Sequence, residues 1–157
     1  MYCSHCGTPS QAGADGHRRC PRGHVDYVNP APAVGVAIVR AGRVLLCRRA
    51  RPPKQDMWDL VGGFVDAGET VPEAVRREAR EETGLDVTGL RRLHQATGEY
   101  APGQPTLNFL YTAHAEGEAR ASDDVAELRW FALDDLPELA WPHEAEALRR
   151  LAARNQK

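Results

Sequence analysis

The chain has 157 residues, enough for one medium domain and a small appendage, and 42% of them are hydrophobic, enough for a proper core. No apolar run is long enough to span a membrane, and the N-terminal residues form no apolar signal region, so the expected compartment is the cytoplasm. A net charge of −2 and a pI near 6.3 argue against broad nonspecific nucleic-acid binding, which needs a basic face.

Residues 1–28 stand apart in composition, with three cysteines, three histidines and many turn residues. Cys3-Ser4-His5-Cys6-Gly7 is a C-x2-C knuckle followed by glycine, and Cys20 and His24 follow at x3 spacing. Cys3, Cys6, Cys20 and His24 suit a tetrahedral structural Zn²⁺ site, with His17 and His5 as alternative fourth ligands. So small a segment cannot bury enough apolar surface to fold alone, so metal would supply the stability. The competing readings are free thiols or a disulfide. The expected division is a zinc ribbon over 1–28 and a second domain over 29–157.

Asn29-Pro30-Ala31-Pro32 reads as a linker. Ala33–Val39 is a buried strand, residues 40–43 a hairpin turn, and Val44–Arg48 the partner strand, in which Cys47 is a small buried hydrophobe. A glycine-rich turn from Gly62 to Gly68 leads into a helix. Thr70 is its N-cap, Glu73 completes a capping box, Pro72 suits the first turn and Gly84 stops it. Another strand is expected within Asp86–Glu99, with Leu107–Ala115 its neighbour. Glu127–Ala132 closes the sheet, and Glu144–Ala153 is an amphipathic helix.

The first helix carries the chemistry. With Glu78 at zero on the helical wheel, Glu82 lies at about +40° and Glu81 at about −60°. Val71, Ala74, Val75 and Leu85 share that half, whereas Glu73, Arg76 and Arg80 lie opposite. Carboxylates gathered on an inward face repel and are costly to desolvate unless a cation neutralises them. Oxygen ligands of this kind select Mg²⁺ or Mn²⁺. The competing reading is a solvated helix laced by i,i+4 pairs. Arg77–Glu81 fits it, but Glu78–Glu82 is like-charged and unfavourable.

The segment 63–85, GFVDAGETVPEAVRREAREETGL, resembles the signature of the Nudix hydrolases, G-x5-E-x7-R-E-U-x-E-E-x-G-U with U apolar. Gly63, Glu69, Arg77, Glu78, Glu81, Glu82 and Gly84 fill its fixed positions, and Ala79 and Leu85 its apolar ones. Val61 stands where the family usually has proline. The resemblance implies a Nudix α/β/α sandwich with a mixed sheet, following the small zinc ribbon. Some family members of the NADH-pyrophosphatase-like group carry a similar ribbon, with C-x2-C as the second knuckle, whereas Gly23 stands here in place of the fourth cysteine.

The resemblance also implies roles. Gly62 would offer its carbonyl to the catalytic metal, Glu78 and Glu82 would be main ligands, and Glu81 an additional ligand or the base. Arg77, with Glu69, would orient these carboxylates. A late acidic residue, Asp123, Asp124 or Glu127, is a further candidate ligand or base, against the reading of a polar turn. Arg48 or Arg49 is a candidate contact for substrate phosphate. Trp58, Phe64, Tyr100 and Phe109 are candidate stacking partners for a base, although core packing is the default for each.

The implied activity is metal-dependent cleavage of a pyrophosphate bond in a nucleoside diphosphate linked to another group. The family's NADH-pyrophosphatase motif is absent, and His94–Tyr100 stands in its place; the coenzyme-A signature is also missing. Pro102, 17 residues past Leu85, matches a feature of ADP-ribose hydrolases, and Tyr100 one of dinucleoside-polyphosphate hydrolases. ADP-ribose or a similar nucleoside diphosphate sugar is favoured, with dinucleoside polyphosphates and nucleoside triphosphates as alternatives. A nucleotide sensor without turnover is a further alternative, and a zinc-ribbon adaptor another. The expected partner is a small nucleotide substrate, not a membrane or a nucleic acid, and many relatives form homodimers.

Overall fold

The computed structural model describes residues 1–122 and 124–155. The chain separates into two compact units, Met1–Pro30 and Ala31–Lys157. The first contains three two-residue strands, β1 (Gln11–Ala12), β2 (Arg18–Arg19) and β3 (Val25–Asp26), joined antiparallel in the order β1-β2-β3. Cys3 and Cys20 are its buried apolar residues, so its interior is sulfur rather than hydrocarbon.

The second unit is a six-stranded mixed sheet with a helix on each face. Its strands are β4 (Ala31–Arg40), β5 (Arg43–Arg49), β6 (Trp58–Phe64), β7 (Val87–Glu99), β8 (Pro105–Ala115) and β9 (Val125–Ala132), in the order β7-β8-β4-β6-β5-β9. The helices are α1 (Val71–Thr83) and α2 (Pro142–Asn155). Among the described strands of this sheet, β4 and β8 pair parallel and the other pairs are antiparallel. Alternate residues of a strand face opposite sides. Val34, Val36, Ile38, Leu45 and Val61 accordingly pack with Ala74, Val75 and Ala79 of α1. Ala37, Val44, Leu46, Leu60 and Leu110 pack with Ala147, Leu148 and Leu151 of α2. This is the α/β/α sandwich expected. No helix among the described residues is long and apolar enough to cross a membrane.

Two expectations need correction. The linker ends sooner than Pro32, because Ala31 and Pro32 already pair with Thr106 and Leu107 of β8. Pro32 has no N–H to donate, but it stands at the start of β4, where proline is admitted, and its carbonyl accepts a hydrogen bond from Val65 N–H at 3.0 Å.

The second correction concerns Gly62 and Gly63, which lie in β6 and not in a turn. Of the glycines from Gly62 to Gly68, only Gly68 has a positive φ, at 86°. Gly62 and Gly63 are needed for close approach instead. A Cβ on Gly62 would overlap the Val34 carbonyl and lie 2.9 Å from Gly35 Cα. Period-2 reading misses β6 because two glycines and Asp59 interrupt its apolar run.

Candidate active site

The cleft is built from the end of β6, the inner edge of α1 and the end of β5. Helix α1 starts as its sequence demands: Glu73 accepts hydrogen bonds from the Thr70 backbone N–H at 2.8 Å and from its hydroxyl at 2.6 Å. It ends at Gly84, whose φ of 71° is left-handed and whose N–H reaches the Arg80 carbonyl at 2.9 Å. With both ends fixed, the carboxylates have a set direction.

Arg77 organises them. Its Nε donates to Glu69 Oε1 at 2.9 Å, and Nη1 donates to Glu78 Oε1 at 2.7 Å and to Glu81 Oε2 at 3.1 Å. Nη2 donates to Glu69 Oε2 at 3.0 Å and to the Phe64 carbonyl at 2.9 Å. One planar fork therefore ties three carboxylates of the box to the end of β6, a geometry that lysine cannot reproduce. Asp66 N–H also donates to Glu69, at 3.0 Å, so Glu69 is held from two sides.

The three helix carboxylates are not equivalent. The buried face of α1 centres near Val75 and Glu82 rather than on Glu78, because Ala79 and Thr83 are also fully buried. Glu78 therefore sits at the edge of that face with 13% of its side chain exposed, and Glu81 swings outward with 59% exposed. The expectation that all three point inward holds for Glu78 and Glu82 and fails for Glu81. Glu82 Oε2 accepts the Gly62 N–H at 3.0 Å, which brings it against the strand carrying the expected metal-binding carbonyl. Burial, followed by the neighbouring Glu78 and Asp59, pushes the Glu82 carboxyl up to about 8. Burial also raises Glu78, although Arg77 opposes it. Two carboxylates that resist ionisation side by side form a site that a divalent cation relieves.

Glu78, Glu82, Gly62, Gly63 and Asp124 line one recess of the cleft. Glu127 does not line it. It pairs across the sheet with Arg48, whose Nε donates to it at 3.2 Å, and it also accepts from Arg129 Nε at 2.9 Å. Arg48 reaches Asp56 on its other side, at 3.5 Å, and stays outside the cleft. The register shift between Arg48 and Arg49 turns the next side chain differently. Arg49 lines the recess, pairs with Asp59 at 2.7 Å and stands beside Tyr100. Of the late acidic candidates, Asp124 lies at the cleft and pairs with Arg51 at 3.0 Å; Asp123 falls outside the described residues.

A second recess opens from the first, and Arg49, Asp59, Gly62, Gly63, Phe64 and Tyr100 line both. It continues past Trp141, His143 and Glu144. Phe64 meets Tyr100 edge-on at 5.2 Å, and Tyr100 lies 5.7 Å from the Trp141 ring. Trp58 instead packs against Phe131, and Phe109 against the core below α1. Sequence reading missed Trp141, Asp59 and Glu144. Asp59 sits in an apolar strand, and Glu144 occupies the first turn of an amphipathic helix, where acidic residues are commonplace.

In the ribbon unit, the ligand atoms of Cys3, Cys6, Cys20 and His24 all lie within 4.8 Å of one another. His24 Nδ1 is 3.7 Å from Cys3 Sγ and 3.6 Å from Cys20 Sγ, and Cys6 Sγ is 3.8 Å from Cys20 Sγ. A tetrahedral Zn²⁺ with Zn–S of about 2.3 Å and Zn–N of about 2.0–2.1 Å requires edges of roughly 3.8 and 3.6 Å. The donor set fits that ion. All four cysteines of the chain are free of disulfides. Of the three histidines it is His24 that joins the cysteines; His5 Nε2 lies 3.9 Å from Asp26, and His17 Nδ1 accepts the Val28 N–H at 3.2 Å.

Residues 29–151 match the family model of the NUDIX domain. The chain is 37% identical over 124 residues to an ADP-ribose pyrophosphatase of Methanocaldococcus jannaschii, covering 75% of this chain and 71% of that protein. It is also 37% identical over 145 residues to an NAD-capped RNA hydrolase NudC of Chromobacterium violaceum, covering 90% of this chain and 53% of that one. The chain thus spans about half the length of such NAD-capped RNA hydrolases. Among solved structures, a Nitrosomonas europaea NUDIX hydrolase superposes with a TM-score of 0.80 at 25% identity, over 99% of this chain and 92% of that one. A Burkholderia pseudomallei MutT NUDIX hydrolase superposes with a TM-score of 0.73 at 38% identity, over 79% of this chain and 99% of that one.

Proposed function

The chain belongs to the Nudix family, and from that premise we propose that it is a metal-dependent pyrophosphohydrolase of nucleoside diphosphates linked to a second group, with ADP-ribose the favoured substrate. The observation that carries this reading is the pair Glu78 and Glu82, set against Gly62 in a cleft and held there by the Arg77 fork. Intact ligands argue against a nucleotide sensor that has lost turnover. The ADP-ribose pyrophosphatase relative supports the substrate class, and the aromatic recess beside the carboxylates gives a nucleotide room to extend.

We assign Glu78, Glu82 and the Gly62 carbonyl as ligands of Mg²⁺ or Mn²⁺. Such an ion would neutralise charge on the pyrophosphate and lower the pKa of a bound water. Arg77 and Glu69 keep the ligand carboxylates aimed. Glu81, at the rim and in water, is an outer ligand or takes the proton from the attacking water. Arg49, which lines the same recess, is our candidate contact for substrate phosphate. We assign Zn²⁺ to Cys3, Cys6, Cys20 and His24 as a structural ion.

A second reading, cleavage of NAD, NADH or an NAD-capped RNA end, is favoured by the similarity to the NudC relative, which extends over 90% of this chain. Chromatographic product analysis separates the two. The protein is incubated with Mg²⁺ or Mn²⁺ and ADP-ribose, NAD, NADH, diadenosine polyphosphates or nucleoside triphosphates, with Glu82→Gln as control. AMP released from ADP-ribose by the wild type alone supports the first reading. Faster release from NAD or NADH favours the second, and nucleotide binding without any turnover returns the sensor.

A further inference from the structure

Asp59 is buried near the start of β6, and three separate parts of the chain converge on it. Its Oδ2 accepts hydrogen bonds from Arg49 Nη1 at 2.7 Å and from Trp141 Nε1 at 3.3 Å. Arg49, at the end of β5, also donates through Nε to the Pro53 carbonyl at 2.7 Å and through Nη2 to the Tyr100 hydroxyl at 3.3 Å. Its guanidinium carbon lies 5.7 Å from the Tyr100 ring centre and 5.6 Å from that of Trp141. Tyr100 comes from the β7–β8 connection and Trp141 from the residue before α2. Among the described residues no backbone hydrogen bond joins these two segments directly; Arg49 and Asp59 link their side chains.

Glu144 backs the arrangement. β4 pairs with β6 as far as Val36 and with β5 from Ile38 onward. Beside this change of partner, the Leu60 N–H goes to Glu144 Oε2 at 3.2 Å. Burial, followed by the neighbouring Asp59, pushes the Glu144 carboxyl far above the usual carboxylate range. Of these two neighbouring buried carboxylates, Asp59 is the one that Arg49 meets, at 2.7 Å. A buried ion pair contributes little net stability against apolar packing but is directional.

We propose that Asp59 is a positioning residue which, through Arg49 and Trp141, sets Tyr100 and Trp141 as a clamp for the planar heteroaromatic ring of a nucleotide. The clamp deepens the pyrophosphohydrolase reading and rests on it. Arg49 belongs to both recesses, so the group that faces phosphate also fixes the ring wall. The ligand class is a purine nucleotide, with its base laid against the exposed side of the paired rings, whose centres lie 5.7 Å apart, and its phosphates toward Glu78 and Glu82.

The test compares two probes on metal-free protein by calorimetry: AMP, and ribose 5-phosphate, which lacks the base. Stacking of a base on aromatic side chains makes the expected preference for AMP about tenfold or more in the wild type. Asp59→Asn is expected to remove most of that preference while changing ribose 5-phosphate affinity by about twofold at most. With ADP-ribose it should raise KM far more than it lowers kcat, since what is lost is alignment of a wall remote from the reacting phosphorus. Trp141→Ala, outside the buried pair, should remove the preference even if Asp59→Asn folds poorly.

Equal binding of both probes by the wild type overturns the clamp. An AMP preference that survives in folded Asp59→Asn overturns the role of Asp59. A uniform loss of both ligands with a lower melting temperature would make Asp59 merely structural. AMP preference without turnover of ADP-ribose removes the substrate reading and leaves the clamp; turnover without AMP preference does the reverse.

Discussion

The Glu78 carboxylate occupies the place where Gly63 would carry a side chain: a Cβ built on Gly63 would lie 2.6 Å from Glu78 Cδ and overlap Oε1. Strand and helix are thus fitted to each other through a missing methyl group. Gly63→Ala should displace Glu78 from the cleft and lower kcat by about 10-fold or more, as misplacement of about an ångström does. Gly62→Ala should be worse and reduce folding, because its obstacle is the backbone of β4. Steady-state kinetics and thermal melts check both. Normal activity in Gly63→Ala would contradict the fit.

Arg77 makes five hydrogen bonds of 3.1 Å or less. Arg77→Lys keeps the charge and loses the fork, so turnover should fall by about 10–100-fold, the usual loss when a residue behind the ligands is changed. Part of the loss should appear as a higher Mn²⁺ concentration for half-maximal activity. A lysine variant as active as wild type at every Mn²⁺ concentration would show that charge alone suffices.

The Glu82 carboxyl titrates at about 8 against an ordinary value of 4.5. A raised pKa means that the folded protein holds a proton which the unfolded chain gives up more readily. The contribution of this group to stability is therefore fully present below about 4.5 and is lost as pH rises through about 8. Metal-free protein should lose melting temperature across that window relative to Glu82→Gln, which has no charge to bury. Divalent metal should raise the wild-type melting temperature more at the alkaline end, where the ligands are ionised, and should leave Glu82→Gln almost unmoved. Parallel pH profiles for the two metal-free proteins would refute the assignment.

One zinc per chain is expected by elemental analysis, with loss on His24→Ala or Cys20→Ser. Each thiol and the imidazole fill one corner of a tetrahedron, so three remaining ligands hold the ion weakly. Proteolysis should then cut within residues 1–30 before the rest of the chain. A zinc-free wild type with the same proteolytic pattern would dismiss the ribbon as a metal site.

The box helix was legible because its signals are local: Thr70, Glu73 and Gly84 mark the ends, and the wheel places Glu78 and Glu82 together. Glu81 was misjudged because the wheel was centred on the carboxylates rather than on Val75, Ala79 and Thr83, which decide what is buried. The clustering of Cys3, Cys6, Cys20 and His24 was legible from spacing. Strand β6 was hidden because its glycines serve close approach, which leaves no periodic trace. Asp59, Trp141 and Glu144 were out of reach for another reason. They stand up to 85 positions apart (144 − 59), and only the folded sheet brings them together.

Tyr100 and Trp141 stand on chain connections, whereas Glu78 and Glu82 stand on a helix capped at both ends and packed into the core. Chain connections can change length and sequence without disturbing the sheet beneath them. Reaction and recognition can therefore drift at different rates: a descendant could exchange its two rings, and with them its preferred molecule, while keeping the same hydrolytic engine.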